Sequence, residues 1–205
     1  MPVKVWDLFV RTFHWSLATL FVIAYVSEGE PLWLHSWAGY LIAVLVLLRV
    51  VWGFVGPRHA RFADFIAGPV RVLRYLVGLA TGTARRYLGH SPAGGAMVIA
   101  LLLSLLATTG TGMALHAVRN GAGPLAFAIP AQTAIVTGDQ RLREDGRARK
   151  PRKPGHDIEE IHELFANLTL VLVFLHLGGV LAASLAHREN LVRAMLDGRK
   201  RPLSD

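Results

Sequence analysis

The 205-residue chain contains no cysteine. That absence excludes disulfide bonds, thiolate-ligated iron–sulfur clusters and any cofactor attached to the protein through thioether bonds. A bound cofactor must therefore be held by other side chains. Charge is also scarce, since only 18% of the residues are Asp, Glu, Lys or Arg, whereas 53% are hydrophobic.

The scarcity of charge leaves four long stretches without any Asp, Glu, Lys or Arg: 12–27, 31–48, 87–118 and 164–187. A helix crosses a bilayer with about 20 apolar residues, and the first stretch reaches this length when it is extended back past Arg11 to Leu8. No small-residue cleavage site follows it, so we expect it to remain a helix. The sequence predicts an all-α integral membrane four-helix bundle in a single domain, 1–205, with spans of approximately 8–27, 31–54, 93–115 and 158–186.

The segment between the second and third spans has a different pattern. Apolar residues alternate there with Arg71 and Arg74 between Phe62 and Leu79. Such alternation predicts an amphipathic helix that lies on the membrane surface with its arginines toward the headgroups.

Basic residues predict the orientation of the spans. The turn between the first two spans holds Glu28 and Glu30 without any Lys or Arg, whereas the second loop and the C-terminal tail are rich in Arg. The positive-inside rule then puts both termini and the second loop in the cytoplasm. The third loop, 116–156, is also basic, but it is too long to weigh in this rule. The net charge of +8 therefore indicates orientation and membrane lipid, and we expect no nucleic acid partner.

Four histidines lie within or beside the predicted spans. His162 and His176 are fourteen residues apart on the fourth span, so they share a helix face and are separated by about 21 Å along its axis. The predicted topology sorts the four into an outer pair, His35 with His162, and an inner pair, His14 with His176. Two bis-histidine haems require this arrangement, because each iron takes one ligand from each side at one depth.

Other interpretations of these histidines remain open. Any one of them alone is as well explained by hydrogen-bonded packing between helices. A haem-free transporter or assembly protein could use them to relay protons or bind metal, although carboxylates inside the spans, which such a path needs, are missing. We expect surface or interfacial positions for the remaining histidines: His59, His90, His116, His156 and His187.

Two further residues are candidates for cofactor contact. Gly39 lies one turn after His35, where a missing side chain could let a porphyrin approach the backbone; helix–helix contact is the alternative. Arg49 lies fourteen residues after His35 and could pair with a propionate of the inner haem, with extension to the cytoplasmic interface as the alternative.

The segments that carry these histidines resemble the bacterial cytochrome b561 proteins and the related di-haem cytochrome b subunits of nickel–iron hydrogenases. The matching strings are VWDLFVRTFHW from Val5, LHSWAGYLIAVLVLLRVVWGFVGPRHARFADF from Leu34, YLGHSPAG from Tyr87 and HELFANLTLVLVFLHLGGVLAASLAHRENLVRAMLDGRKR from His162. The resemblance implies two b-type haems with His14, His35, His162 and His176 as axial ligands to iron. It also implies that the third span packs without supplying a ligand.

The implied function is electron transfer across the membrane in a respiratory chain. Family members exchange electrons with quinone, a hydrogenase, a c-type cytochrome or superoxide, so we expect a link between a periplasmic c-type cytochrome or hydrogenase subunit and the quinone pool. The outer face with its third loop is the expected docking surface for that partner. A self-contained oxidoreductase acting on superoxide or quinone as a substrate is the alternative; no acid–base catalytic residues are apparent, and we assign none.

Overall fold

The computed structural model describes residues 2–28, 31–129 and 153–202. Within these ranges the chain is almost entirely helical. The elements are β1 (Val3–Lys4), α1 (Leu8–Val26), α2 (Leu32–Val55), a 3-10 helix η1 (Arg58–Ala60), α3 (Phe62–Phe65), α4 (Pro69–Ala80), α5 (Pro92–Asn120), α6 (His156–Ala186), α7 (Leu191–Asp197) and β2 (Arg199–Lys200). The charged part of the third loop, where we expected a partner to dock, falls largely outside the described residues.

Four of the helices, α1, α2, α5 and α6, are long and apolar enough to cross a membrane. The predicted all-α four-helix membrane bundle is therefore confirmed. α5 runs to Asn120, five residues beyond the predicted end of its span, because neither Gly nor Pro occurs between Leu115 and Gly121. That glycine ends the helix in the left-handed conformation, with a φ of 60°, which costs glycine little.

The long helices pack in a sequence that leaves one side of the bundle open. α1 packs against α2, α2 against α5, and α5 against α6. Their shared core consists of Phe13, Ile42, Val46, Leu102 and Leu105. Within the described residues, α6 hardly approaches α1 or α2. A gap therefore separates α6 from the α1–α2 pair, and the four candidate histidines lie on these three helices.

The two ends of the chain meet at one end of the bundle. β1 and β2 form an antiparallel pair in which Val3 lies opposite Lys200 and Lys4 opposite Arg199. We call this the terminal end, which the sequence prediction makes cytoplasmic, and the opposite one the loop end. Two-residue strands give no readable sequence pattern, and this pairing was not predicted.

The second loop folds over the terminal end as η1, α3 and α4. α4 begins with Pro69 at its first helical position, where a missing N–H costs nothing. Arg71 and Arg74 are exposed, and so is a row of apolar side chains: Val70, Leu73, Leu76 and Val77. An amphipathic helix that buries little of its apolar surface within the protein is what an interfacial element requires, and the prediction of this helix is confirmed.

Candidate functional site

The structure brings the four candidate histidines together in two pairs across the gap. The ring centroids of His14 and His176 are 6.2 Å apart near the terminal end. The ring centroids of His35 and His162 are also 6.2 Å apart, near the loop end. These are the two pairs that the topology predicted, each joining α6 to a different helix.

Hydrogen bonds define which ring nitrogen is the donor in each histidine of the loop-end pair. The Nδ1 atom of His35 lies 2.8 Å from the carbonyl oxygen of Ala24, and Nδ1 of His162 lies 2.9 Å from that of Thr108. A carbonyl oxygen only accepts, so each Nδ1 carries the hydrogen and donates it. In the neutral ring Nε2 then has a lone pair, the form in which imidazole binds a metal.

The terminal-end pair is less constrained by protein contacts. The Nδ1 atom of His14 is buried and has no hydrogen-bond partner within the described residues. Its ring makes an edge contact with Trp15, with centroids 5.2 Å apart. A buried ring nitrogen without a hydrogen-bond partner is energetically unfavourable. The described residues therefore do not satisfy the hydrogen-bonding capacity of His14.

The distance within each pair fits two ligands of one metal. No hydrogen bond joins the rings of either pair in the described part of the chain. An imidazole nitrogen binds a metal at about 2 Å, so two rings on opposite sides of one metal have centroids roughly 6 Å apart. Among the described residues no group of three or more His, Cys, Asp or Glu side chains could hold a metal ion. The pairs therefore suit a metal whose remaining ligands come from a cofactor.

α5 supplies no histidine to either pair, but it holds α6 in position. A Cβ atom at Gly112 would lie 2.9 Å from Cε1 of His162, so only glycine fits beside that ring. Further along, Thr169 of α6 is fully buried, and its hydroxyl lies 2.7 Å from that of Ser104 and 3.1 Å from that of Thr108. Small side chains let membrane helices approach, and hydroxyls join them. Neither the space at Gly112 nor the hydroxyl contacts of Thr169 were predicted, because neither feature has a periodic signal in the sequence.

The two other candidate residues have different surroundings. A Cβ atom at Gly39 would meet nothing within 4 Å, so this glycine makes no close helix–helix contact in the described structure. The Arg49 side chain is only 2% exposed and is covered by the η1–α3 segment instead of extending to the surface. It donates through Nη2 to the carbonyl of Ala60 at 3.1 Å. A buried guanidinium costs several kcal/mol unless it is paired.

His90 was expected at a surface or interface, and the structure encloses its ring. Its ring centroid lies 4.6 Å from that of Trp6 and 4.5 Å from that of Phe65. Burial, together with the nearby charges of Arg49 and Lys200, lowers the pKa of His90 to about 3. The residue directly precedes Ser91, the cap of α5, which made a loop position the natural expectation.

Comparisons with known proteins identify the family of this chain. Residues 5–198 match the family model described as prokaryotic cytochrome b561. A probable Ni/Fe-hydrogenase B-type cytochrome subunit of Rhizobium leguminosarum bv. viciae is 26% identical over 227 residues, covering 97% of this chain and 88% of the relative. Proteins of the same description from Azotobacter chroococcum mcd 1 and Azotobacter vinelandii are each 25% identical, covering 96% of this chain and 87% of the relative. No solved structure matches the chain.

The family match spans all four long helices and both histidine pairs. Membership implies haem b as the cofactor and electron transfer in a membrane as the function. The chain belongs to the prokaryotic cytochrome b561 family.

Proposed function

We propose that this protein transfers electrons across the bacterial inner membrane between two b-type haems, one ligated by His14 and His176 and the other by His35 and His162. The observation that carries the proposal is the equal separation of 6.2 Å between ring centroids in both pairs. Both pairs bridge the gap between α6 and the α1–α2 pair.

The residues around each pair suit a haem. In the hydrogen bonds from His35 to Ala24 and from His162 to Thr108 the donor is Nδ1, so in the neutral rings both Nε2 atoms have lone pairs that can bind a metal cation. A bound haem supplies the one-electron chemistry, while the protein sets the haem potential through ligand type, burial and hydrogen bonds.

Gly39 and Arg49 complete the proposed cofactor contacts. The open space beside Gly39 leaves room for a flat group against the backbone of α2. Arg49 offers a buried positive charge near the terminal end, with Nη1 unpaired in the described structure. A guanidinium of this kind pairs well with a carboxylate such as a haem propionate.

We propose the following partners and orientation. Both termini are cytoplasmic, and the loop end faces the periplasm, where a redox partner exchanges electrons with the haem at His35 and His162. The curated relatives are described as hydrogenase subunits, so a hydrogenase is the favoured partner, with a c-type cytochrome as the alternative. Quinone in the membrane is the proposed partner on the other side of the relay.

The test is haem content and the reduced-minus-oxidised spectrum of the purified protein. Wild type is expected to hold two haems per chain, and His162→Ala and His176→Ala are each expected to lose a different one. His116→Ala is the matched control, because His116 bonds to Tyr40 and belongs to neither pair. Folded wild-type protein without haem would refute the proposal, as would loss of the same haem in both variants.

A further inference from the structure

Four buried side-chain nitrogen atoms have no hydrogen-bond partner within the described residues: Nε of Arg11, Nδ1 of His14, Nη1 of Arg49 and Nδ1 of His90. Two of them, Nη1 of Arg49 on α2 and Nδ1 of His90 in the segment before α5, lie outside the histidine pairs and are linked by the contacts described below. The guanidinium of Arg49 can only donate hydrogen bonds, and the ring of His90 can donate one from Nδ1. A polar atom buried without a partner is destabilising, so two such atoms in one region indicate a group that the protein chain does not supply.

A series of aromatic contacts connects Arg49 with His90, and the charge of Arg49 acts on that histidine. The Cζ atom of Arg49 lies 5.4 Å from the ring centroid of Phe62. The ring of Phe62 lies 5.8 Å from that of Phe65, which lies 4.5 Å from that of His90. Ala60, which accepts the hydrogen bond from Arg49, packs in the same buried cluster as Trp6, whose ring also contacts His90.

Charges of both signs act on this region. The charged and titratable groups that act on His90 are Arg49 from α2, Lys200 from β2, Asp64 from α3 and His59 from η1. Lys200 lies 4.0 Å from a carboxylate oxygen of Glu189. Asp64 accepts hydrogen bonds from Arg58 and His59, at 3.2 and 2.9 Å, and neither bond involves Arg49 or His90.

Asp7, the other carboxylate that acts on Arg49, is engaged as well. One of its oxygens accepts from the backbone N–H of Val10 at 3.0 Å, and the other lies 3.4 Å from Nε1 of Trp52. Asp7 thus caps α1 and is not hydrogen-bonded to the guanidinium. An additional anion would complete the site.

The depth of Arg49 in the bundle identifies the source of that anion. Val46 packs in one core cluster with Phe13, the neighbour of His14, so the two helices are level there. Arg49 lies three residues further along α2, about one turn closer to the terminal end than His14.

We propose that Arg49 and His90 together form a carboxylate-binding site, and that this site receives a propionate of the haem held by His14 and His176. The inference rests on the proposed function and adds His90 as a positioning residue for that haem. Both donors hold the carboxylate, and its charge in turn compensates the buried guanidinium.

The test compares the reduction potentials of both haems in His90→Phe and His90→Asn. Phenylalanine keeps the aromatic packing against Trp6 and Phe65 but removes the donor, whereas the asparagine amide restores a donor near the position of Nδ1. Loss of the donor leaves more negative charge on the propionate and favours ferric haem. We expect about a tenfold lower ratio of reduced to oxidised terminal-end haem in His90→Phe at a fixed ambient potential, equivalent to about 59 mV for one electron.

Further variants control for packing and for misfolding. Arg49→Gln is expected to lower the potential of the same haem, so the site stays testable if His90→Phe does not accumulate. His187→Gln is the matched control at the terminal end, because His187 contacts Tyr75 and has no role in the proposed site. Reduction potentials equal to wild type in both His90→Phe and Arg49→Gln would overturn the inference. Equal potentials in His90→Asn and His90→Phe would overturn it as well.

Haem dimethyl ester separates a propionate from other anions. Chain produced in haem-starved cells and reconstituted with the ester has no propionate charge, so His90→Phe and His90→Asn should then have equal potentials. A difference that persists with the ester would assign the site to a lipid or solution anion and overturn the inference. If the variants hold two haems with unaltered potentials, only the carboxylate-binding site is refuted. If the wild-type chain binds no haem, the proposed function itself is refuted.

Discussion

The carbonyl oxygens that orient the loop-end histidines are available for a structural reason. Ala24 lies in the last turn of α1, where carbonyls have no intrahelical partner, so the donation from His35 replaces a missing helical bond. Thr108 lies within α5, and its carbonyl accepts a hydrogen bond from His162 through the second lone pair that every carbonyl has. Each ring is thus oriented by a helix other than its own.

The first prediction concerns Gly112, whose missing side chain makes room for His162. In Gly112→Val, a Cβ atom 2.9 Å from Cε1 of that histidine would displace the ring. We expect haem content to fall from two per chain toward one, with the loop-end haem lost. Haem quantification and the difference spectrum measure this.

Gly178→Val is the matched control for that variant. Gly178 is exposed on α6, and a Cβ atom there would meet nothing within 4 Å. Wild-type haem content in Gly112→Val would show that the ring does not need this space, whereas loss of haem in both variants would indicate a general effect of valine on the bundle.

The sequence pointed to some residues of the candidate site, among them the four histidines, but not to all of its residues. The four histidines were predictable because helical spacing and topology alone sort them by depth. His90 and Gly112 were not, since their roles depend on contacts with Trp6 and with His162, which are distant in sequence. Periodicity describes one helix at a time and contains no information about which residue of another helix lies opposite.

Among the elements, α6 depends most on its neighbours. It carries one member of each histidine pair, yet Thr169 is the only residue of this helix that is buried. Its packing partner in the bundle is α5, through the hydroxyl contacts of Ser104 and Thr108. On the proposed function, the haems supply the second attachment of α6, to α1 and α2.

The C-terminal segment is held to the bundle by a partly buried ion pair. Arg86 donates to both oxygens of Glu189, at 2.7 and 3.2 Å, and to the carbonyls of Arg201 and Pro202. Burial raises the pKa of Glu189, but hydrogen bonds from Arg86 and the charge of Lys200 outweigh this and hold it below the usual 4.5. A depressed carboxyl pKa stabilises the fold above the unfolded value, and this contribution is lost as pH falls through the folded value.

The second prediction follows from the lowered pKa of Glu189. The pairing of β1 with β2 should persist from pH 7 to about 4.5 in wild type and weaken only at lower pH, whereas Glu189→Gln should weaken it throughout. Hydrogen exchange of the Val5 and Trp6 amides, which donate to the carbonyl of Gly198, reports the opening. Glu160→Gln, an exposed position on α6, is the control; unchanged protection in Glu189→Gln would contradict the role of the ion pair.

At the scale of the whole molecule, the structure joins the two ends of the chain. Four spans return the chain to the side where it began, and the β1–β2 pair is built from residues near each terminus. The proposed orientation makes that side cytoplasmic.

The third prediction tests this orientation by using the absence of cysteine. A single cysteine can be introduced at Asn120, at the loop end, or at Pro202, at the terminal end, without any background thiol. A membrane-impermeant maleimide added to intact spheroplasts should label Asn120→Cys and leave Pro202→Cys unlabelled until the cells are lysed. The reverse pattern would invert the proposed topology.

By itself the sequence determined the class of the protein. Uncharged stretches of sufficient length determine membrane spans because unpaired charge and backbone are costly in lipid, and histidine spacing along these spans sets candidate depths. Only the tertiary structure decided that the two imidazole pairs have the same centroid separation, that Gly112 leaves space for the ring of His162, and that Arg49 and His90 are both buried near the terminal end. Those properties are distances between helices, and they arise from packing between residues far apart in the chain.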